Sequence, residues 1–137
     1  MEARTTKNTE DAMIKIKKSE LRDLILNGIT TAELNSKYDY SGITDMSYMF
    51  SMFCDSSSLE SVPLFDTSNV TNMNYMFCDC SSLKYVPAFN TSNVTTMKHM
   101  FANCTSLKDI DPYDFEGFNF STLDNNYLKE QYPEMYI

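Results

Sequence analysis

The chain has 137 residues, of which 42% are hydrophobic, and a formal net charge of −8. That length fits one domain with its own core. No apolar run approaches the roughly 18 residues needed to span a membrane, and an acidic surface repels nucleic acid rather than binding it.

The charge is uneven along the chain. Residues 1–30 hold six Lys/Arg against five Asp/Glu, a local +1, which leaves −9 for everything beyond. An acidic body favours a basic partner. The N-terminus, Met1 to Lys7, runs into a polar segment without an apolar stretch or a cleavage site. This predicts a cytoplasmic protein, extracellular only if a leader has been removed.

Residues 1–37 read as an N-terminal cap. Met13-Ile14-Lys15-Ile16-Lys17 alternates as a short edge strand does, with lysines that discourage further pairing. Ser19 is placed as the N-cap of a helix that carries Leu21, Leu24 and Ile25 on one face, with Gly28 just past its end. Thr30 and Glu33 have capping-box spacing and predict a second helix over about 31–37.

Three copies of one unit follow: 38–64, 65–88 and 89–113. A shift of 24 positions carries Val70, Met73, Met76, Phe77, Cys80 and Leu83 onto Val94, Met97, Met100, Phe101, Cys104 and Leu107, and Phe65 onto Phe89. Tyr38 through Phe50 matches Phe65 through Phe77 at an offset of 27, and the first copy holds three extra residues around Ser51-Met52-Phe53. Three residues are close to one helical turn, so the insertion is expected to lengthen a helix. A fixed period of this size signals stacked units that cannot bury their apolar faces alone.

Within each copy, Met73, Met76, Phe77 and Cys80 have the i, i+3, i+4, i+7 spacing of a two-turn helix. Leu83 to Val86 reads as a short strand ended by Pro87, its copies pairing in parallel. Phe65, Phe89 and Tyr113 are expected to turn inward. Residues 114–137 form a C-terminal cap, with a helix from about Ser121 or Thr122 to Gln131 closed by Pro133. The predicted fold is a short right-handed α/β solenoid, a leucine-rich-repeat-like stack of about three 24–27-residue repeats with a cap at each end.

The block Asp-Thr-Ser-Asn-Val-Thr-Asn-Met-x-Tyr-Met-Phe at 66–77 returns at 90–101 as Asn-Thr-Ser-Asn-Val-Thr-Thr-Met-x-x-Met-Phe. Cys-Ser-Ser-Leu and Cys-Thr-Ser-Leu follow the two blocks. These residues resemble the BspA-like leucine-rich repeats of bacterial surface proteins and lipoproteins, over about residues 20–113. The resemblance implies a solenoid that binds other macromolecules, adhesion to host proteins included. Met stands at many Leu/Ile positions of that pattern, and Pro63 and Pro87 shorten the strand.

No acid, base, nucleophile or phosphate loop is assembled by spacing, so the chain is expected not to be an enzyme and to carry no cofactor or metal. Cys54, Cys78, Cys80 and Cys104 lack the Cys-x-x-Cys spacing of a zinc site. Cys54 stacks on Cys78 and Cys80 on Cys104 by register, where buried thiols, a disulfide or a metal are the alternatives. His99 reads as a solvated surface histidine. Stacked Thr67/Thr91 and Thr71/Thr95 suggest a hydroxyl ladder.

The expected function is a non-catalytic protein–protein interaction module. The alternatives are an acidic inhibitor, encoded by a phage or mobile element, of a host nucleic-acid-dependent defence machine, and a fragment of a surface adhesin. The expected partner is another protein, with a basic surface under the inhibitor reading. Tyr48, Tyr75 and Tyr85 are its candidate anchors, because exposed tyrosines concentrate binding energy. Register places Ser61, Tyr85 and Asp109 in one outward column, flanked by Glu60, Lys84 and Lys108.

Overall fold

The computed structural model of the protein describes residues 13–51, 58–108 and 126–136. The chain opens with strand β1 (Ile14–Lys15), which pairs in parallel with β2 (Tyr38–Asp39) in the register Ile14 to Tyr38 and Lys15 to Asp39. Between them lie helices α1 (Lys18–Leu26) and α2 (Thr31–Lys37). Helix α1 begins at an extended Lys17 rather than at Ser19, which sits inside it. The reason is Glu20: its carboxylate accepts from the Lys17 amide at 3.0 Å, and that bond fixes the cap three residues upstream.

The end of α1 is set by Gly28 at φ +86°. The amide of Gly28 donates to Ile25 O at 3.0 Å and that of Ile29 to Leu24 O at 3.1 Å, the paired bonds of a Schellman motif. Helix α2 is capped by the Thr30 side chain, which accepts from the Glu33 amide at 3.1 Å. Leu21, Ile25 and Leu34 face inward and join one core with the repeats. Thr31 Oγ1 donating to Leu64 O and Lys18 Nζ donating to Ser47 O tie the helices to the first copy.

Equivalent residues of the three copies lie against one another. Phe50, Phe77 and Phe101 stack, with ring centroids 5.2 and 5.7 Å apart, and Phe65 and Phe89 approach to 4.9 Å. All five rings are buried, as are Met46, Met73 and Met97, Met49, Met76 and Met100, and Cys80 and Cys104.

The local structure of that apolar segment differs from the two-turn helix expected. Residues 74–79 are consecutive tight turns, and Tyr75 and Asp79 adopt left-handed backbone with φ of 58° and 67°. Tyr48, His99 and Asn103 repeat this at 58°, 53° and 60°. Left-handed residues stop an α-helix. They also turn alternate amides outward: those of Met73, Tyr75, Phe77 and Asp79 donate to the carbonyls of Thr96, Lys98, Met100 and Ala102 in the next copy, at 2.8–3.0 Å. Those of Met46, Tyr48 and Phe50 donate likewise to Asn72, Asn74 and Met76. The apolar spacing was ambiguous because a run of turns buries the same four residues as two helical turns.

The expected parallel strand over Leu83–Val86 is also replaced. Among the described residues one backbone bond crosses there, from the Lys84 amide to Glu60 O at 2.8 Å, although Leu83 and Val86 point inward and Lys84 and Tyr85 outward. The backbone ladder between copies runs instead through the turn segment, with parallel bridges Asp45 to Asn72 and Asn72 to Thr96.

Side chains reinforce it. Asn69 and Asn93 donate to Ser41 O and Ser68 O of the preceding copy. The threonine hydroxyls bond backbone rather than each other: Thr71 to Thr44 O, Thr95 to Thr71 O, and the buried Thr67 to Asn90 O.

Helix α3 spans Asn126–Gln131, and a 3-10 turn over Pro133–Tyr136 follows, so Pro133 opens a new turn rather than only ending the old one. The start expected for α3 near Ser121 lies outside the described residues, as do the three-residue insertion beyond Ser51, Cys54 and Tyr113.

Candidate surface site

The turn that interrupts the helix also builds the most distinctive surface feature. Tyr48, Tyr75 and His99 occupy the same left-handed position in the three copies. Their side chains form a column: Tyr48 and Tyr75 have centroids 4.8 Å apart and planes 5° apart, and Tyr75 and His99 are 5.1 Å and 29° apart. Tyr48 is 45% exposed, and Tyr75 and His99 are half-buried. Amide bonds from Tyr48 to Asn74 O and from Tyr75 to Lys98 O, at 3.0 and 2.9 Å, hold the backbone beneath the rings.

Aspartates sharpen the turns. Asp39, Asp45 and Asp66 each accept from the amide two residues on, those of Ser41, Ser47 and Ser68. These serine hydrogen bonds hold all three carboxyls below the usual aspartate range, so they are ionised at neutral pH. Asn72 and Asn90 make the same turn without charge. The third copy has Thr96 where the others have Asp45 and Asn72. There the Lys98 amide and the Thr96 hydroxyl both donate to Asn74 Oδ1 at 2.7 Å.

The other expected cluster is smaller. Tyr85 is 48% exposed and stacks on no described ring, because its equivalents are Ser61 and Asp109. Lys84 Nζ and Glu60 Oε1 pair at 3.0 Å with both side chains more than 60% exposed, an ion pair worth little in water. Asp109 lies outside the described residues. Of the six expected contact residues, the fold therefore joins Tyr48 to Tyr75 and Lys84 to Glu60. Sequence reasoning missed His99, although the 24-residue offset from Tyr75 was the signal that would have found it.

Cys80 and Cys104 are buried thiols directed into the core. Burial pushes Cys80 up to about 12 and raises Cys104 as well. Cys104 Sγ lies 2.9 Å from Phe77 O and donates to it. Both are therefore protonated and poorly nucleophilic at neutral pH. Among the described residues no group of three or more His, Cys, Asp or Glu could hold a metal ion, and no helix is long and apolar enough to cross a membrane.

These features define a repeat protein whose copies meet in register and carry a column of rings on their surface. A family model described as "Mycoplasma protein of unknown function, DUF285" matches residues 20–127, and the chain belongs to that family. No curated protein and no solved structure matches the chain.

Proposed function

We propose that this chain is a BspA-like leucine-rich-repeat solenoid that serves as a non-catalytic protein–protein interaction module, acting in the cytoplasm. The observation that carries the reading is the Tyr48–Tyr75–His99 column: aromatic side chains held in one orientation on a hydrogen-bonded frame. Pre-ordered tyrosines contribute binding area at little conformational cost, which is how interface anchors work.

The inhibitor reading stands second, favoured by the −9 charge beyond residue 30. The two separate by salt. Retention of a partner from a lysate of the source cell is measured with the chain as bait as salt rises from about 50 to about 500 mM. A partner that resists salt and is lost with Tyr48→Ala supports an aromatic interface. A basic partner lost with salt but kept by Tyr48→Ala supports the acidic inhibitor. Capture unaffected by salt and by substitution at Tyr48, Tyr75 and Tyr85 overturns the reading.

A further inference from the structure

From Met46 to Phe50 and from Met73 to Asp79 the backbone bonds to the following copy all run one way, whereas just upstream the amides of Thr71 and Asn72 donate back to Thr44 O and those of Thr95 and Thr96 back to Thr71 O. In a parallel β-ladder donors alternate between the two strands. Here the amides of Met46, Tyr48 and Phe50, then of Met73, Tyr75, Phe77 and Asp79, all donate toward the following copy. Every carbonyl that receives them points back toward the N-terminal end. The crossing peptides, every second one in the segment, are aligned along the stack, and aligned carbonyls leave a negative end, as at a helix C-terminus. Asp45, Ser47 and Met49 are the first copy's equivalents of the acceptors Asn72, Asn74 and Met76, and among the described residues no backbone amide donates to their carbonyls. Lys18 of helix α1 already uses that edge, its Nζ donating to Ser47 O at 2.9 Å. The ionised Asp45 carboxylate belongs to the same edge.

The ring column ends there too. One face of Tyr48 lies on Tyr75, and the other carries no described ring. The residue choice is informative in energetic terms. A left-handed backbone is costly for a bulky residue, and Asn and Asp tolerate it best. The second left-handed position of the repeat follows that rule with Asp79 and Asn103, whereas the first holds Tyr48, Tyr75 and His99. Stacking returns part of the cost inside the column. Tyr48 stacks on one described ring and is 45% exposed.

We infer that the N-terminal end of the column is a recognition site for an arginine side chain of a partner protein, its guanidinium lying on the face of Tyr48 away from Tyr75 and facing the Asp45 carboxylate and the carbonyl edge. Arginine fits better than lysine because a planar guanidinium stacks on a ring while still donating in its own plane. Lys98 sits at the opposite end of the column, beside His99, which makes the two ends unlike.

This inference rests on the interaction-module reading and assigns its face and partner chemistry. The test uses the full chain with a fluorescent peptide of alternating arginine and glycine, and a lysine counterpart of equal length. Anisotropy gives affinity, and carbon-13 spectra of the tyrosine rings give location. The expected result is arginine peptide binding about fivefold tighter than lysine, with the Tyr48 resonances moving most. Tyr48→Leu and Asp45→Asn should each remove that preference without changing the circular dichroism spectrum. Tyr48 stands at the column's end, so Tyr48→Leu leaves the Tyr75–His99 pair in place. Equal affinity for both peptides, or an arginine preference unchanged in Tyr48→Leu, overturns the site. If that happens while lysate capture still depends on Tyr75, only this assignment fails and the interaction module stands.

Discussion

Phe77 is the central ring of the described core. It lies between Phe50 and Phe101 and meets Phe89 at 6.4 Å, with no exposed surface. Phe77→Ala should cost about 3–5 kcal/mol in urea unfolding, since the rings above and below cannot both collapse into the gap. The buried thiols give a pH signature. Cys80 keeps its proton in the fold up to about 12, whereas an unfolded cysteine loses it near 8.5. Between those values the unfolded chain binds fewer protons, so stability falls as pH rises, by at most about 1.4 kcal/mol per unit for this thiol. Unfolding midpoints measured from pH 8 upward should decline, and Cys80→Ala should flatten the decline. At the acid end the sign reverses: Asp39, Asp45 and Asp66 stabilise the turns when ionised, and that contribution is lost as pH falls through their lowered values.

At the scale of elements, two glycines separate backbone from space. Neither Gly28 nor Gly42 has an atom within 4 Å of an added Cβ, but only Gly28 is left-handed, at φ +86°. Gly28→Ala should therefore cost about 1 kcal/mol through the Schellman turn of α1, and Gly42→Ala should be neutral or slightly stabilising through the unfolded chain. Thermal melts of the two variants check the pair. Thr30→Ala should cost about 1 kcal/mol by removing the α2 cap. The turn segment is the element that matters most. Its alternate amides satisfy two needs, turn closure within a copy and bonding to the next, which a helix would have spent entirely on itself.

For the whole molecule, the proposed solenoid implies that a copy is an exchangeable unit. A duplication of residues 65–88 should fold, with a steeper urea dependence, because it adds a layer that buries the same columns. An insertion of equal length whose sequence is scrambled should not fold, and the contrast is read by circular dichroism and urea titration. Failure of the duplicated chain to fold while the parent does so would count against the stacked-repeat architecture. Tyr40 of the first copy joins the N-terminal cap to the second copy: it donates to Asn35 Oδ1 and accepts from the Asp66 amide, both at 2.9 Å. Tyr40→Phe should loosen the N-terminal cap from the second copy without disturbing the ring column.

By itself the sequence determined which residues go inside and which copies correspond. A repeat of 24 positions leaves matching side chains little freedom once apolar ones must leave water, so Phe77 over Phe101 and the capping of α2 by Thr30 were legible from spacing and chemistry. The conformation of the segment between Met73 and Cys80 was not legible, because helix and turn run place the same four residues inward. What chose between them was tertiary: carbonyls of the next copy, 23 residues on, waiting within hydrogen-bond reach of alternate amides. That choice turned Tyr75 left-handed, and set His99 against it in the column.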